Sequence, residues 1–316
     1  MKIMVTGGAG FIGSHTVDAL LSRGDEVVCV DDFNDYYSPQ RKRDNLATAL
    51  TSPSFRLHES DIREYQEMER IFSNEKPQKV IHLAAMAGVR NSVAFPVLYE
   101  EVNVKGTLNL LELASRHGVR SFILASTSSV YGASKDIPFK EDNAAIRPLA
   151  PYPATKRACE LLAHVYHHLH GLHCTVLRFF SVYGPRGRPD MTPYLFTEAI
   201  SQDKQITLYD GGRPQRDWTY VEDVIDGVLA AVEADCEYEI INLGNSKPVV
   251  MRDFVSIIEE LLGRRAKIIS PPLPPSEPPL TYADISKASR LLGYNPTMSV
   301  EAGMRSFIEW YEQEVA

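Results

Sequence analysis

Hydrophobic and polar positions divide the 316-residue chain into two halves with different rhythms. In the first half, short apolar runs alternate with amphipathic stretches. "KIMVT" (2–6) leads into a glycine-rich turn and then a helical stretch from Phe11 to Arg23, which Gly24 ends. Further apolar runs stand at "EVVCVD" (26–31), "FRLHES" (55–60), "KVIHLAA" (79–85), "SFILAS" (121–126) and "CTVLRF" (174–179). Buried strands alternating with helical crossovers predict a parallel sheet covered on both faces. The second half is looser. It predicts helices near 221–234 and 251–263 and strands near 206–209 and 239–243. "SVYGPRGRPD" (181–190) and "PPLPPSEPP" (271–279) read as loops.

Composition narrows the function classes. The formal net charge is −8 and no long basic run is present, which argues against nucleic acid as the main partner. Cys29, Cys159, Cys174 and Cys236 are scattered without a C-x-x-C, so free, mostly buried thiols are expected. There is no signal-peptide pattern and no apolar run approaching the roughly 20 residues of a membrane span, so a cytoplasmic protein is expected.

"TGGAGFIG" places Gly7, Gly10 and Gly13 after a strand and at the start of a helix. Glycines there let backbone approach a pyrophosphate, and the helix start offers free N–H groups. The second strand ends in Asp31, 18 residues beyond Gly13, where a carboxylate can accept from an adenosine ribose. With Asp32 it would repel a 2′-phosphate, so the expected cofactor is NAD. The pocket is assigned to Gly7, Gly10, Phe11, Ile12, Gly13, Asp31, Asp61 and Ile62. Asp61 has a second reading, as the N-cap of a helix starting at Ile62. The expected fold is α/β: a Rossmann-type doubly wound parallel sheet with a smaller C-terminal α/β substrate-binding lobe. Residues 1–180 are assigned to NAD and 181–316 to the substrate, with segments near 206–240 free to cross back.

The chemistry points to "APYPATKRACE" (150–160). Tyr152 and Lys156 stand at i and i+4, on one helix face. A free tyrosine has a pKa of about 10. A nearby ammonium and a positive nicotinamide would favour its phenolate. Pro153 disfavours helical backbone at Tyr152, yet a first helical turn does not use its N–H groups. The proline pair therefore predicts that the helix begins here, with Tyr152 in its first turn. "ASTSSVYG" (125–132) supplies Thr127, Ser128 and Ser129 at a strand's carboxyl end, where open parallel sheets bind ligands.

With these residues in place the chain resembles the extended short-chain dehydrogenase/reductase family of nucleotide-sugar enzymes. The resemblance runs end to end, through "TGGAGFIGSH", "HLAA", "STSSVYG", "YPATK", "RFFSVYGP", "RDWTYVEDV" and "YADISKA". It implies that Tyr152 is the catalytic base, that Lys156 binds the nicotinamide ribose and that Thr127 contacts the C4 hydroxyl of a UDP-sugar.

"DDFNDYYSPQRKRDNL", "AGVRNSV" and "RFFSVYGPRGRPDM" are most similar to UDP-glucuronate 4-epimerases. By that resemblance Arg188 and Ser181 join Thr127, Ser128 and Ser129 around a sugar carboxylate, with Arg186 and Arg90 as weaker candidates. Arg216 is expected at the diphosphate, and Tyr209 and Glu277 at the uridine. UDP-glucose/UDP-galactose 4-epimerase and UDP-glucuronate decarboxylase are the alternatives. A decarboxylase carries an acid where Ser129 stands. Two departures from the pattern are Met86 and the "PPSE" stretch at 274–277. Relatives often dimerise through helices like 96–117 and 152–170, so a homodimer is expected. His164, His167 and His168 have metal-like spacing, but the chemistry needs no metal, and they are read as surface or dimer-face residues.

Overall fold

The computed structural model describes every residue except Ala144, Ile146, Asp235, Val315 and Ala316. Twelve strands are present among the described residues: β1 (Lys2–Thr6), β2 (Glu26–Asp31), β3 (Phe55–Glu59), β4 (Lys79–His82), β5 (Ser121–Thr127), β6 (His173–Phe179), β7 (Ser181–Tyr183), β8 (Gln205–Thr207), β9 (Gln215–Tyr220), β10 (Tyr238–Leu243), β11 (Pro248–Val250) and β12 (Lys267–Ile269). Seven of them form one parallel sheet in the order β10-β6-β5-β4-β1-β2-β3. The order reverses between β1 and β4, which opens a crevice at their carboxyl ends.

Alternation within each strand divides the core. Ile3, Val5, Val27, Cys29, Ile81 and Ile123 pack on one face, against helices Phe11–Ser22 and Val221–Ala234. Met4, Val28, Val30, Val80, Phe122 and Leu124 pack on the other, against helices Tyr65–Glu75, Gly106–Arg116 and Pro151–His170. Both faces are covered, so the strands read as apolar runs rather than alternating ones.

β4 is shorter than its apolar run. It ends at His82, and residues 83–85 leave the sheet to line the crevice. The run stays apolar because half-buried residues 83–85 line the cleft, not because they are strand. Cys29, Cys159 and Cys174 are buried thiols outside any disulfide, and Cys236 is half-buried.

β11, β9 and β7 form a smaller sheet, and β12 pairs with β8. The helix at Val221–Ala234 and β10 return to the large sheet. The apolar core runs unbroken from Val5 and Ile81 to Phe254 and Phe307 in the second half.

Two aspartates of "RDWTYVEDV" act as backbone staples. Fully buried Asp217 accepts from the N–H groups of Asn245 (2.8 Å), Ser246 (3.1 Å) and Ala283 (2.9 Å). Asp223 accepts from those of Thr297 (3.0 Å) and Met298 (3.2 Å). Asp217→Ala would leave three interior donors unpaired, so we expect it to cost roughly 3 kcal/mol or more and lower Tm by roughly 6 °C or more. Thermal unfolding checks this, and an unchanged Tm would remove the staple.

Candidate active site

The crevice at the sheet's switch point is an open cleft. Its lining includes Gly7, Gly10, Phe11, Ile12, Gly13, Asp31, Asp61, Ile62, Tyr152, Lys156 and Arg188. The sequence thus scattered these residues over 182 positions and the fold gathers them.

The glycine loop is a backbone cradle. Gly7 has φ +71°, and a Cβ there would stand 2.6 Å from the Ala84 nitrogen. A Cβ on Gly13 would stand 2.0 Å from the Gly7 carbonyl oxygen. Side chains are excluded where a dinucleotide's phosphates must approach, so the residues present fit that group. Asp31 ends β2 inside the cleft. Its carboxylate accepts from the N–H groups of Ala9 and Phe33, both at 3.0 Å, and burial pushes its pKa up against the opposing pull of Lys42.

Asp61 resolves differently from its N-cap reading. The helix begins at Tyr65, not Ile62. Asp61 instead closes a turn, accepting from the Arg63 N–H at 2.8 Å and pairing with the Arg63 guanidinium, while it still borders the cleft.

The helix carrying Tyr152 spans Pro151–His170, with extended Ala150 as its N-cap. Pro151, Tyr152 and Pro153 are its first three residues. The first backbone bond is donated by Ala154 to the Ala150 carbonyl at 3.3 Å. Neither proline therefore deprives the helix of a donor. Lys156 follows one turn later and is buried; among the described residues it forms no ion pair. Burial lowers its pKa, opposed by Cys159 and Glu160.

Burial likewise pushes the Tyr152 phenol up; Arg188 and a hydrogen bond with Thr127 pull it down. Arg188 is thus a cation that favours the phenolate, and Lys156 lines the same cleft as the Tyr152 phenol. The Thr127 hydroxyl donates to Ser129 Oγ at 3.2 Å and accepts from the Ser129 N–H at 3.1 Å, with Ser128 buried between them. Ser181 begins β7, two residues after the end of β6.

Beside the site lies an ionic network in which Glu160, Arg178 and Ser126 are buried and Arg157 is partly exposed. Glu160 accepts from Ser126 Oγ (2.5 Å), Arg178 Nε (2.9 Å) and Nη2 (2.8 Å), and Arg157 Nη1 (2.6 Å). It joins β5, β6 and the helix Pro151–His170 one turn beyond Lys156. Asn103 is a second clamp. Its amide accepts from the Met86 N–H (2.8 Å) and donates to the Met86 carbonyl (3.0 Å) and to Thr155 Oγ1 (3.0 Å). Met86 thus contributes its backbone to the clamp and its side chain to the cleft wall.

Four predicted substrate residues gather outside this lining. Glu277 accepts from Arg90 Nε and from Arg216 Nη2, both at 3.1 Å, and the Arg90 guanidinium lies 5.2 Å from the Tyr209 ring centre. Arg186 turns away: it pairs with Asp18 at 2.7 Å on the helix Phe11–Ser22. The histidines face aromatic neighbours, with His164 on His168 and His167 on Tyr238. Leu161, Val165 and Leu169 form an exposed apolar stripe on the same helix, the one that the resemblance assigned to a dimer interface.

Sequence reasoning missed Tyr36, Tyr37, Lys42 and Asp190. The first three line the cleft and Asp190 pairs with Arg188. Their segments were singled out only by resemblance, because loop polar residues carry no periodic signal.

Residues 3–244 match the profile described as the NAD dependent epimerase/dehydratase family. A UDP-glucuronate 4-epimerase of Thermodesulfobacterium geofontis is 42% identical over 313 residues, covering 99% of this chain and 96% of that protein. The crystal structure of a Bacillus cereus UDP-glucuronic acid 4-epimerase, in complex with UDP-glucuronic acid and NAD, superposes with a TM-score of 0.94 at 37% identity over 99% of both chains. A UDP-glucose 4-epimerase from Thermotoga maritima, bound to UDP-glucose, gives 0.91 at 31% over the whole of both. With the glycine cradle, Tyr152 and Lys156 in one cleft, the chain belongs to the NAD dependent epimerase/dehydratase family.

Proposed function

We propose that the protein converts UDP-glucuronate to UDP-galacturonate by inverting C4 through a transient 4-keto sugar, without decarboxylation. The coarser activity, NAD-dependent C4 epimerisation of a UDP-sugar, follows from the family and from likeness along the whole chain to UDP-sugar 4-epimerases. Residues 1–180 would serve the cofactor and 181–316 the UDP-sugar.

The glycine loop and Asp31 would hold NAD, which would supply a hydride acceptor and donor for C4. Tyr152 accepts the O4 proton and gives it back after the sugar has turned over. Thr127 orients that hydroxyl, and Lys156 holds the ribose at the cleft floor. Arg90 and Arg216 would meet the diphosphate in exchange for Glu277.

The observation that carries the choice of sugar is Arg188, whose guanidinium stands in the cleft beside Tyr152. A planar fork suits a planar carboxylate. Ser128 and Ser129 stand where an acid would be needed to expel a hydroxyl or assist loss of carbon dioxide. Hydroxyls holding the carboxylate near the sugar ring plane would keep the breaking C–C bond out of line with the carbonyl π system. The rival reading, UDP-glucose/UDP-galactose exchange, draws on Asp190, which already pairs with Arg188.

The test is turnover of UDP-glucuronate beside UDP-glucose, with products resolved by stereochemistry. Preference for UDP-glucose, or a pentose product, overturns the proposal. Arg188→Lys keeps the cation and loses the fork, so we expect KM for UDP-glucuronate to rise about tenfold or more, with a smaller change in kcat.

A further inference from the structure

Arg188 is not a free cation. Asp190 Oδ1 accepts from its Nε at 2.9 Å and Asp190 Oδ2 from its Nη2 at 2.7 Å. That pair takes up the side edge of the guanidinium. Among the described residues Nη1 donates to no acceptor, so the end edge, formed by Nη1 and the second Nη2 hydrogen, is open.

Asp190 is itself held, because the Tyr36 hydroxyl donates to its Oδ2 at 3.0 Å. The Tyr36 ring also lies 5.7 Å from the guanidinium carbon. The Tyr36 segment follows β2 and the Arg188–Asp190 segment follows β7. They meet over Gly88, which follows β4. Gly88 has φ +101°, and a Cβ there would stand 2.7 Å from the Tyr36 hydroxyl oxygen and 3.5 Å from Asp190 Oδ2. The backbone is thus bent and stripped to let the three loops meet. Tyr99 borders the same point and packs edge-on to Tyr152, with ring centres 6.1 Å apart.

We propose that Asp190, held by Tyr36, is a positioning residue for substrate choice: it occupies one edge of the Arg188 fork so that the other faces the reacting sugar. The proposal rests on the reading of Arg188 as the carboxylate ligand. A guanidinium with all edges free can meet an anion in several orientations, and few of them align C4 with Tyr152. With the side edge taken, two parallel N–H bonds form in one orientation. Asp190 also offsets part of the positive charge before substrate arrives. Discrimination then depends on the geometry of a planar carboxylate more than on net charge.

This reading and simple electrostatics predict opposite signs. Removing a negative charge near an anionic sugar should tighten binding if charge alone matters. If Asp190 positions the fork, removal should weaken it. In NAD-loaded enzyme, Asp190→Asn is expected to raise KM for UDP-glucuronate about tenfold with a smaller fall in kcat. The Ki of UDP-glucose as a competitive ligand should stay within about twofold, because its hydroxymethyl group makes no use of the fork. Tyr36→Phe keeps every charge and should shift the same KM about threefold in the same direction.

An unchanged or lower KM in Asp190→Asn, or equal shifts for both sugars, overturns the proposal. Wild-type enzyme with no preference for the uronate overturns both this proposal and the reading of Arg188. A wild-type preference that survives Asp190→Asn unaltered overturns this one alone.

Discussion

Replacing Tyr152 by phenylalanine is expected to lower kcat about a thousand-fold. NAD affinity should stay within about twofold, since the phenyl ring keeps its packing and the hydroxyl is only one edge of the cofactor cleft. The reason is the proton. Oxidising an alcohol at C4 requires the O4 proton to leave as the hydride does, and the phenol is the titratable group in reach of the Thr127 hydroxyl. Burial pushes this phenol up, so at neutral pH it is protonated until something favours the anion. Arg188 supplies part of that, and the positive ring of bound NAD would add to it. A base must be deprotonated to act, so kcat should rise with pH through the range below the phenol's pKa. The residual rate of Tyr152→Phe should be flat over the same range. Steady-state kinetics across pH checks both. Activity within twofold of wild type would remove Tyr152 as the base.

What the chain disclosed in advance follows the range of the forces involved. β1, β2, β5 and β6 were legible because strands buried on both faces leave uninterrupted apolar runs. The helix at Pro151–His170 was legible from its start, because Pro151 and Pro153 have one comfortable place in a helix. The glycine cradle and Asp31 were legible because their spacing is local. The end of β4 was not, since residues 83–85 are apolar for the cleft's sake.

The Asp190–Arg188–Tyr36 group was also hidden. Its members are up to 154 positions apart, and they meet where three loops converge. The same holds for Glu277, which the altered "PPSE" stretch made hard to place. Its two ion pairs depend on how residues 90, 216 and 277 are brought together by separate strands and turns. Arg188 is a further case, because it favours the Tyr152 phenolate from a loop that the local spacing of Tyr152 and Lys156 cannot reveal.

The second large effect is expected from a single methyl group. Gly13→Ala should weaken NAD binding about a hundred-fold or more. Helix propensity alone argues the other way: Gly13 is the third residue of helix Phe11–Ser22, where alanine is favoured over glycine by about 1 kcal/mol. Contact decides the sign. The added Cβ would lie 2.0 Å from the Gly7 carbonyl oxygen, 2.8 Å from the Gly7 carbonyl carbon and 2.8 Å from the Gly8 Cα. All three are backbone atoms of the loop that must cradle the pyrophosphate, so no side chain can swing aside. The loop has to move, and its N–H groups move with it.

Gly10→Ala is the control within the same loop. Its Cβ would meet the same carbonyl at 3.2 Å, a contact that a few tenths of an ångström relieves, so its loss should stay within about tenfold. Gly24→Ala meets nothing within 4 Å and is strained only by φ +88°, so it should cost about 1 kcal/mol of stability and leave NAD affinity unchanged. Calorimetric titration of NAD into the three variants gives the ranking. Because the clash falls on the loop and not on the apolar core, a Gly13→Ala protein that stays folded and is blind to NAD isolates the cradle from the fold. Wild-type affinity in that variant would mean that the loop yields freely, and the pyrophosphate would then have to be held elsewhere.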